Sequence, residues 1–194
     1  MRASWLTDIH LNFLVSDERR QFLETVAEEA DAVAITGDIG ESTNVIDYLK
    51  EMEEIIRRPI YFVLGNHDFY RGSIGKTRDE VAELAQQSEH LTYMTATGVV
   101  ALSPKTALVG HDGWADARLG DFDKSPVFMN DYVAIQDFRK WEDDFGLDKP
   151  ALAEALNVLG DEAAHHLVCA EVGLRGTKRM PVWKSEGYAD YTAN

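Results

Sequence analysis

Acidic, imidazole and amide side chains recur at three places in the first 70 residues, each directly after a short apolar run. Carboxylate, imidazole and amide groups are ligands of hard or borderline ions such as Mn²⁺, Fe, Zn²⁺ or Mg²⁺. Asp8 and His10 stand two residues apart, so in an extended chain both side chains lie on the same side and are able to hold one ion. The complete set of candidate ligands and neighbours is Asp8, His10, Asp38, Asn66, His67 and Asp68.

A lone Asp after a strand is more often a turn residue than a metal ligand, but the whole set favours a metal site. Asp38 lies on the middle segment and is the natural candidate to bridge two ions. Two ions about 3.5–4 Å apart lower the pKa of a shared water and clamp the oxygens of an in-line displacement. Gly37 and Gly65 allow the backbone to approach the ions closely. His67 follows a candidate ligand and is expected to point away from the ligands, where it could donate a proton to a leaving group or stabilise charge on phosphate. Asp68 either orients that imidazole or only forms the turn.

The elements that must position these residues repeat one plan of apolar run, polar turn and amphipathic helix. The predicted strands are Ala3–Leu6, Ala32–Thr36 and Ile60–Leu64. The predicted helices run from Ser16 or Asp17 to about Ala30 and from Ser42 to about Arg57. Strands that alternate with single helices imply right-handed crossovers and parallel pairing. The carboxyl ends of the three strands, and therefore the candidate ligands, should meet at one edge of the sheet.

After residue 70 the pattern changes. A helix is predicted from Ser73 to about Ser88, and a long polar loop from Gly110 to about Asn130. Between them lie three short strands, the last two joined by a hairpin-like turn: Leu91–Met94, Val99–Leu102 and Thr106–Val109. Further helices are predicted near Asp131–Trp141 and Lys149–Leu167. In residues 167–194 the apolar residues follow neither the spacing of a helix nor the alternation of a strand. We therefore predict a domain over residues 1–166 and an atypical tail of unclear structure over residues 167–194.

Composition narrows the class of protein. The 194 residues are 45% hydrophobic and carry a formal charge of −15, which is typical of a soluble globular protein and disfavours nucleic acid as a partner. A nuclease is not excluded, since metal ions supply positive charge locally. Cys169 is the only cysteine, so no disulfide framework or Cys-rich zinc site is expected. No apolar stretch has the length of a signal sequence or a membrane span, which predicts a cytoplasmic protein with no membrane contact.

The three motifs resemble a known family when they are taken together. Asp8-Ile9-His10, Gly37-Asp38 and Gly65-Asn66-His67-Asp68 follow one another at intervals of roughly 28 residues. This order is similar to the D-x-H, G-D, G-N-H-[DE] pattern of the calcineurin-like metallophosphoesterase superfamily. The resemblance implies an α/β fold of the αββα sandwich type, with metal ligation by Asp8, His10, Asp38 and Asn66. It also implies two divalent metal ions in a complete site, a bridging position for Asp38 and a catalytic acid at His67.

The implied activity is hydrolysis of a phosphoester, in a small molecule or a protein, by a metal-bound hydroxide. Members of this family continue into a second half with further metal-binding histidines, typically including a G-H-x-H motif. None of the four histidines after His67 stands in such a motif. We therefore expect the second half of the sandwich to be incomplete and metal affinity and activity to be weak. The alternative is a truncated, non-catalytic remnant that acts as a metal-binding or interaction module.

Overall fold

The centre of the fold is a four-stranded sheet. The computed structural model describes residues 2–113, 116–118, 120–139, 142–143 and 146–175. The sheet has the order β1-β2-β3-β4, formed by β1 (Ala3–Leu6), β2 (Ala32–Thr36), β3 (Ile60–Val63) and β4 (Leu91–Tyr93). Every neighbouring pair is parallel. The predicted parallel crossovers are therefore confirmed, and the first two strands match the prediction residue for residue.

Three helices connect these strands: α1 (Ser16–Glu29), α2 (Val45–Ile56) and α3 (Ile74–Gln87). Helix α2 buries the apolar stripe predicted from its spacing, and the chain leaves the helix through Arg57 in a left-handed conformation, two residues before Pro59. The sheet contributes one apolar face to the same core. That shared core consists mainly of Val33, Ile35, Ile60, Phe62 and Tyr93 from the sheet and of Leu23, Val26, Val45, Leu49, Met52, Ile56 and Val81 from the helices.

The opposite face of the sheet is more open. Trp5, Ala34 and Tyr61 are in register across β1, β2 and β3 and share this face. Trp5 is 75% exposed, and the other two are half-buried. The α/β class is confirmed, but within the described residues no second sheet of four strands covers this face.

The remaining strands form two small antiparallel pairs. The predicted hairpin is β5 (Val100–Ser103) paired with β6 (Thr106–Leu108), and β7 (Glu142–Asp143) pairs with β8 (Gly146–Leu147). The helix predicted over Asp131–Trp141 is instead two short helices, α4 (Asp131–Ala134) and α5 (Gln136–Arg139). The break has a tertiary cause, because the Ala134 carbonyl accepts a hydrogen bond from Arg71 and the Gln136 amide donates one to Gly72. Trp141 lies outside the described residues.

The last described helix is α6 (Lys149–Arg175). It starts where the sequence predicts but continues past Leu167, so the predicted boundary between residues 166 and 167 falls inside it. Residues 176–194 of the predicted tail lie outside the described part of the chain, and the division into domain and tail stays a prediction. No helix in the described part combines the length and apolar character needed to cross a membrane.

Candidate metal centre

The turns that follow β1 and β2 lie side by side. The Asp8 amide donates to the Gly37 carbonyl at 3.2 Å, and the His10 amide donates to the Asp38 carbonyl at 2.9 Å. Asp8, His10 and Asp38 all have positive φ, at 51°, 39° and 55°. Asp and His are among the residues that tolerate the left-handed region best. Unfavourable backbone conformations of this kind concentrate at functional sites, so this edge of the sheet is the first place to look for one.

Two glycines allow the turns after β2 and β3 to meet. A Cβ on Gly37 would lie 2.7 Å from the Cα of Gly65, and a Cβ on Gly65 would lie 2.0 Å from Oδ1 of Asp38. Contacts this short are sterically excluded, and Gly37 also has φ of 97°, which favours glycine. The close approach inferred from the sequence is therefore present, and it brings the Asp38 carboxylate against the backbone at the end of β3.

Three side chains converge at this edge. One ligand atom each from His10, Asp38 and His67 lies within 4.8 Å of the other two, and this is the one such group of acidic, His or Cys side chains among the described residues. Nε2 of His10 is 3.9 Å from Oδ2 of Asp38. The rings of His10 and His67 meet edge to face with centroids 4.7 Å apart.

The electrostatics of this group suit a cation. Burial raises the pKa of Asp38 above its ordinary value, and the nearby Asp8 charge adds to the increase. A hydrogen bond from the His67 amide, at 3.1 Å from Oδ1, and the two imidazoles oppose this increase. Nδ1 of His10 is buried and has no hydrogen-bond partner. A buried carboxylate with the Nε2 nitrogen of His10 at 3.9 Å is a donor set that a divalent ion would satisfy.

The predicted ligands Asp8 and Asn66 lie beside this group rather than within it. Asp8 is exposed, and its Oδ2 accepts a hydrogen bond from the Thr7 hydroxyl. Its charge is close enough to Asp38 to raise that pKa. Asn66 directly precedes His67, and its side-chain nitrogen donates to Asp131 at 2.6 Å. That orientation leaves the amide oxygen available as a ligand.

His67 takes a position that differs from the predicted one, and Asp68 follows one of its two predicted alternatives. The sequence-based interpretation has His67 pointing away from the ligands, whereas the structure places it with His10 and Asp38. The reason is local, because residues 67–69 form a 3-10 turn in which successive side chains do not alternate as they do in a strand. Both oxygens of Asp68 accept backbone hydrogen bonds at 2.8 Å, from Gly40 and Gly65.

Asp68 is fully buried, and burial raises its pKa to about 7. Its hydrogen bonds join the turn after β2 to the turn after β3, which is a structural role. These contacts agree with the alternative of a turn-forming Asp, and the predicted task of orienting His67 has no support among the described contacts of Asp68. The ring of Tyr70 stacks on His67 at 4.3 Å between centroids, in addition to the edge-to-face contact of His67 with His10.

Two residues near the centre were missed by the sequence analysis. Tyr70 donates from its hydroxyl to Asp131 at 3.1 Å. Asp131 is buried and accepts from both Tyr70 and Asn66, although it lies about 60 residues further along the chain. At the start of a predicted helix an acidic residue is normally interpreted as a partner of the helix dipole. The sequence contained no signal that would have linked Asp131 to this site.

Comparison with known proteins agrees with this geometry. The family model described as calcineurin-like phosphoesterase matches residues 1–173. The chain belongs to the calcineurin-like phosphoesterase family. The match covers the candidate metal centre, the parallel sheet and nearly all of α6. The similarity to the family therefore continues well beyond the three motifs in the first 70 residues. No curated protein and no solved structure matches the chain.

Proposed function

We propose that this member of the calcineurin-like family hydrolyses a phosphoester with the help of divalent metal ions bound at the carboxyl edge of the sheet. The observation that carries the proposal is the convergence of His10, Asp38 and His67 within 4.8 Å. Asp38 would hold the ions at the centre, with Asp8, His10 and the Asn66 amide oxygen as the other ligands. Bound there, divalent ions supply positive charge that activates water and stabilises the charge on phosphate oxygens.

His67 has two candidate tasks at this site. The family resemblance assigns it the role of proton donor to the leaving alcohol, and its position beside Asp38 also makes it a candidate ligand. The backbone supports both, because the His67 amide hydrogen bond to Asp38 fixes the base of the side chain beside the carboxylate. A small-molecule or protein phosphoester is the proposed substrate, because the formal charge of −15 disfavours binding of nucleic acid.

The test measures hydrolysis of p-nitrophenyl phosphate with and without added Mn²⁺. We expect Mn²⁺-dependent turnover that falls at least about 100-fold in Asp38→Asn, which keeps the shape of the side chain but removes its charge. Circular dichroism shows whether the variant stays folded. A chain without Mn²⁺-dependent turnover, or one whose turnover survives Asp38→Asn, would contradict the proposal.

The same assay with His67→Gln separates the two tasks of His67. A proton donor contributes about 10²–10⁴-fold, and its loss matters more for an alkyl phosphate than for p-nitrophenyl phosphate, whose leaving group needs little protonation. A larger loss with the alkyl phosphate indicates a proton donor. Equal losses with both substrates, accompanied by weaker Mn²⁺ binding, indicate a ligand.

A metal-binding module without turnover is the second candidate function. The observation in its favour is the small donor set, since the described residues supply one group of three acidic or imidazole ligands. Mn²⁺ binding that depends on Asp38, without hydrolysis of any aryl or alkyl phosphate, would support the module over the enzyme.

A further inference from the structure

We propose that Asp131 is a positioning residue that holds the Asn66 amide and the His67 ring in the orientation required for metal binding. The inference rests on the proposed function, because it concerns the ligands of that site. Asp131 is 3% exposed, and its Oδ1 accepts hydrogen bonds from Asn66 at 2.6 Å and from the Tyr70 hydroxyl at 3.1 Å. One buried carboxylate oxygen therefore joins the two residues that flank the His67–Phe69 turn in sequence.

The hydrogen bond to Asn66 fixes which end of the amide faces the metal edge. A carboxylate only accepts hydrogen bonds, so the Asn66 nitrogen must face Asp131. The carbonyl oxygen, which is the end that binds a cation, is then directed away from Asp131. An amide at this position without a carboxylate partner is free to rotate and present its nitrogen, which does not ligate metal ions.

The hydrogen bond between Asp131 and Tyr70 also restricts the orientation of the His67 ring. The Tyr70 ring stacks on the His67 imidazole at 4.3 Å between centroids, with 25° between the planes. Anchoring the Tyr70 hydroxyl on Asp131 fixes the plane against which the imidazole packs. Outer partners of this kind typically change metal affinity by about 10–100-fold when they are removed.

Asp131 is itself held rigidly. Its helix, α4, is tied to the turn that follows His67 by the Arg71–Ala134 hydrogen bond at 2.8 Å, and α5 is tied to the same turn by the Gln136–Gly72 hydrogen bond at 3.0 Å. Asp137, on the next helix, accepts from the Ile74 amide at 2.8 Å. These hydrogen bonds hold the backbone of residues 131–137 in position. The carboxylate of Asp131 therefore lies beside Asn66 and Tyr70 in the metal-free protein.

The first measurement uses the metal-free, full-length chain. Asn66→Asp assigns the Asn66 side-chain amide signal in the ¹⁵N NMR spectrum. We expect its protons to exchange with solvent more slowly than those of the exposed Asn130, and the signal to move in Asp131→Asn. An Asn66 amide that exchanges as fast as that of Asn130 would overturn the proposal, and this result does not depend on how any variant folds.

The second measurement compares Mn²⁺ affinity by calorimetry in the parent, in Asp131→Asn and in the control Asp121→Asn, whose carboxylate is an exposed partner of Lys124. We expect the dissociation constant to rise about 10–100-fold in Asp131→Asn and to stay within about twofold in Asp121→Asn. Tyr70→Phe keeps the stacked ring and should fall between them. Parent-like affinity in a folded Asp131→Asn overturns the positioning role alone, whereas a parent that binds no Mn²⁺ contradicts the proposed function itself.

Discussion

Two buried aspartates at the carboxyl edge of the sheet have opposite surroundings. Asp112 lies in a cluster that we call the Asp112 hub, formed with Arg78, Tyr93 and Thr95. Its side chain is fully buried and accepts from the Leu64 amide at 2.7 Å, Thr95 at 2.7 Å, Arg78 at 3.2 Å and the Tyr93 hydroxyl. Asp38, nearly as buried, accepts one described hydrogen bond, from the His67 amide.

The difference separates a structural carboxylate from a candidate ligand. In the Asp112 hub a guanidinium and three neutral donors satisfy the carboxylate, so it has no capacity left for an ion. At Asp38 the neighbours are two imidazoles that approach without a hydrogen bond to the carboxylate among the described contacts. The residue type is the same at both positions, and both side chains are largely or fully buried. What distinguishes the candidate ligand is unused acceptor capacity that faces other potential ligands.

The largest expected effect is on stability, from Asp112→Asn. The amide removes the charge that faces Arg78, whose side chain is 19% exposed, and leaves that guanidinium buried without its main partner. Breaking one side of a buried ion pair costs about 3–5 kcal/mol. We expect the low end, about 3 kcal/mol of unfolding free energy measured by urea titration, because Glu162 also contacts Arg78.

Asp121→Asn is the control for this variant, since Asp121 is an exposed partner of Lys124, and its unfolding midpoint should be unchanged. Mn²⁺ affinity should be unchanged in any folded Asp112→Asn protein. A stable Asp112→Asn that has lost Mn²⁺ binding would contradict the structural role of Asp112 and would indicate that it contributes to metal binding.

The next effect concerns the glycine turn against Asp38. In Gly65→Ala the new methyl would lie 2.0 Å from Oδ1 and 2.6 Å from the backbone nitrogen of Asp38, and a backbone atom cannot swing away. Overpacking of this kind costs about 1–3 kcal/mol, and the displaced carboxylate should bind Mn²⁺ more weakly. Gly75→Ala, in the first turn of α3, meets no atom within 4 Å and should stabilise the protein by up to about 1 kcal/mol. Equal effects of the two substitutions on unfolding free energy would show that the turns do not meet as described.

The smallest effect is expected from Tyr93→Phe. The variant keeps the ring stacked on Phe62, at 5.4 Å between centroids, and removes one of the four donors to Asp112. The loss of one such hydrogen bond costs about 1 kcal/mol. Tyr61→Phe, half-buried on the opposite face of β3, is the control and should change the unfolding free energy by less than about 0.5 kcal/mol. A neutral Tyr93→Phe would mean that the Tyr93 hydroxyl does not contribute to the stability of the hub.

Hydrophobic spacing was sufficient to predict the first half of the fold. The alternation in β3 and the stripe of α2 are local patterns with a single good interpretation, because only one face of each element is buried. The break between α4 and α5 was not predictable in this way. It depends on hydrogen bonds from Arg71 and to Gly72, which lie more than 60 residues away in sequence and leave no local signal.

The location of a candidate-site residue was predictable where that residue comes directly after a strand of the parallel sheet. Asp38 was correctly placed at the shared edge because parallel strands end together. His67 was predicted to face away because alternation was assumed, whereas the turn after Asn66 is helical. Asp131 and Asp112 were out of reach for a different reason, since each contacts this edge only through tertiary packing of a distant segment.

The central claim is that the ions bind at the edge of the sheet where His10, Asp38 and His67 converge, with Asp38 as a ligand. Anomalous scattering from crystals of the full-length chain grown with Mn²⁺ tests it directly, because the signal locates the ion without any assumption about activity. We predict a peak in contact with the Asp38 carboxylate and an imidazole of this group, and no peak there in crystals of Asp38→Asn. A Mn²⁺ peak elsewhere on the molecule, with Asp38 free of metal, would contradict the account.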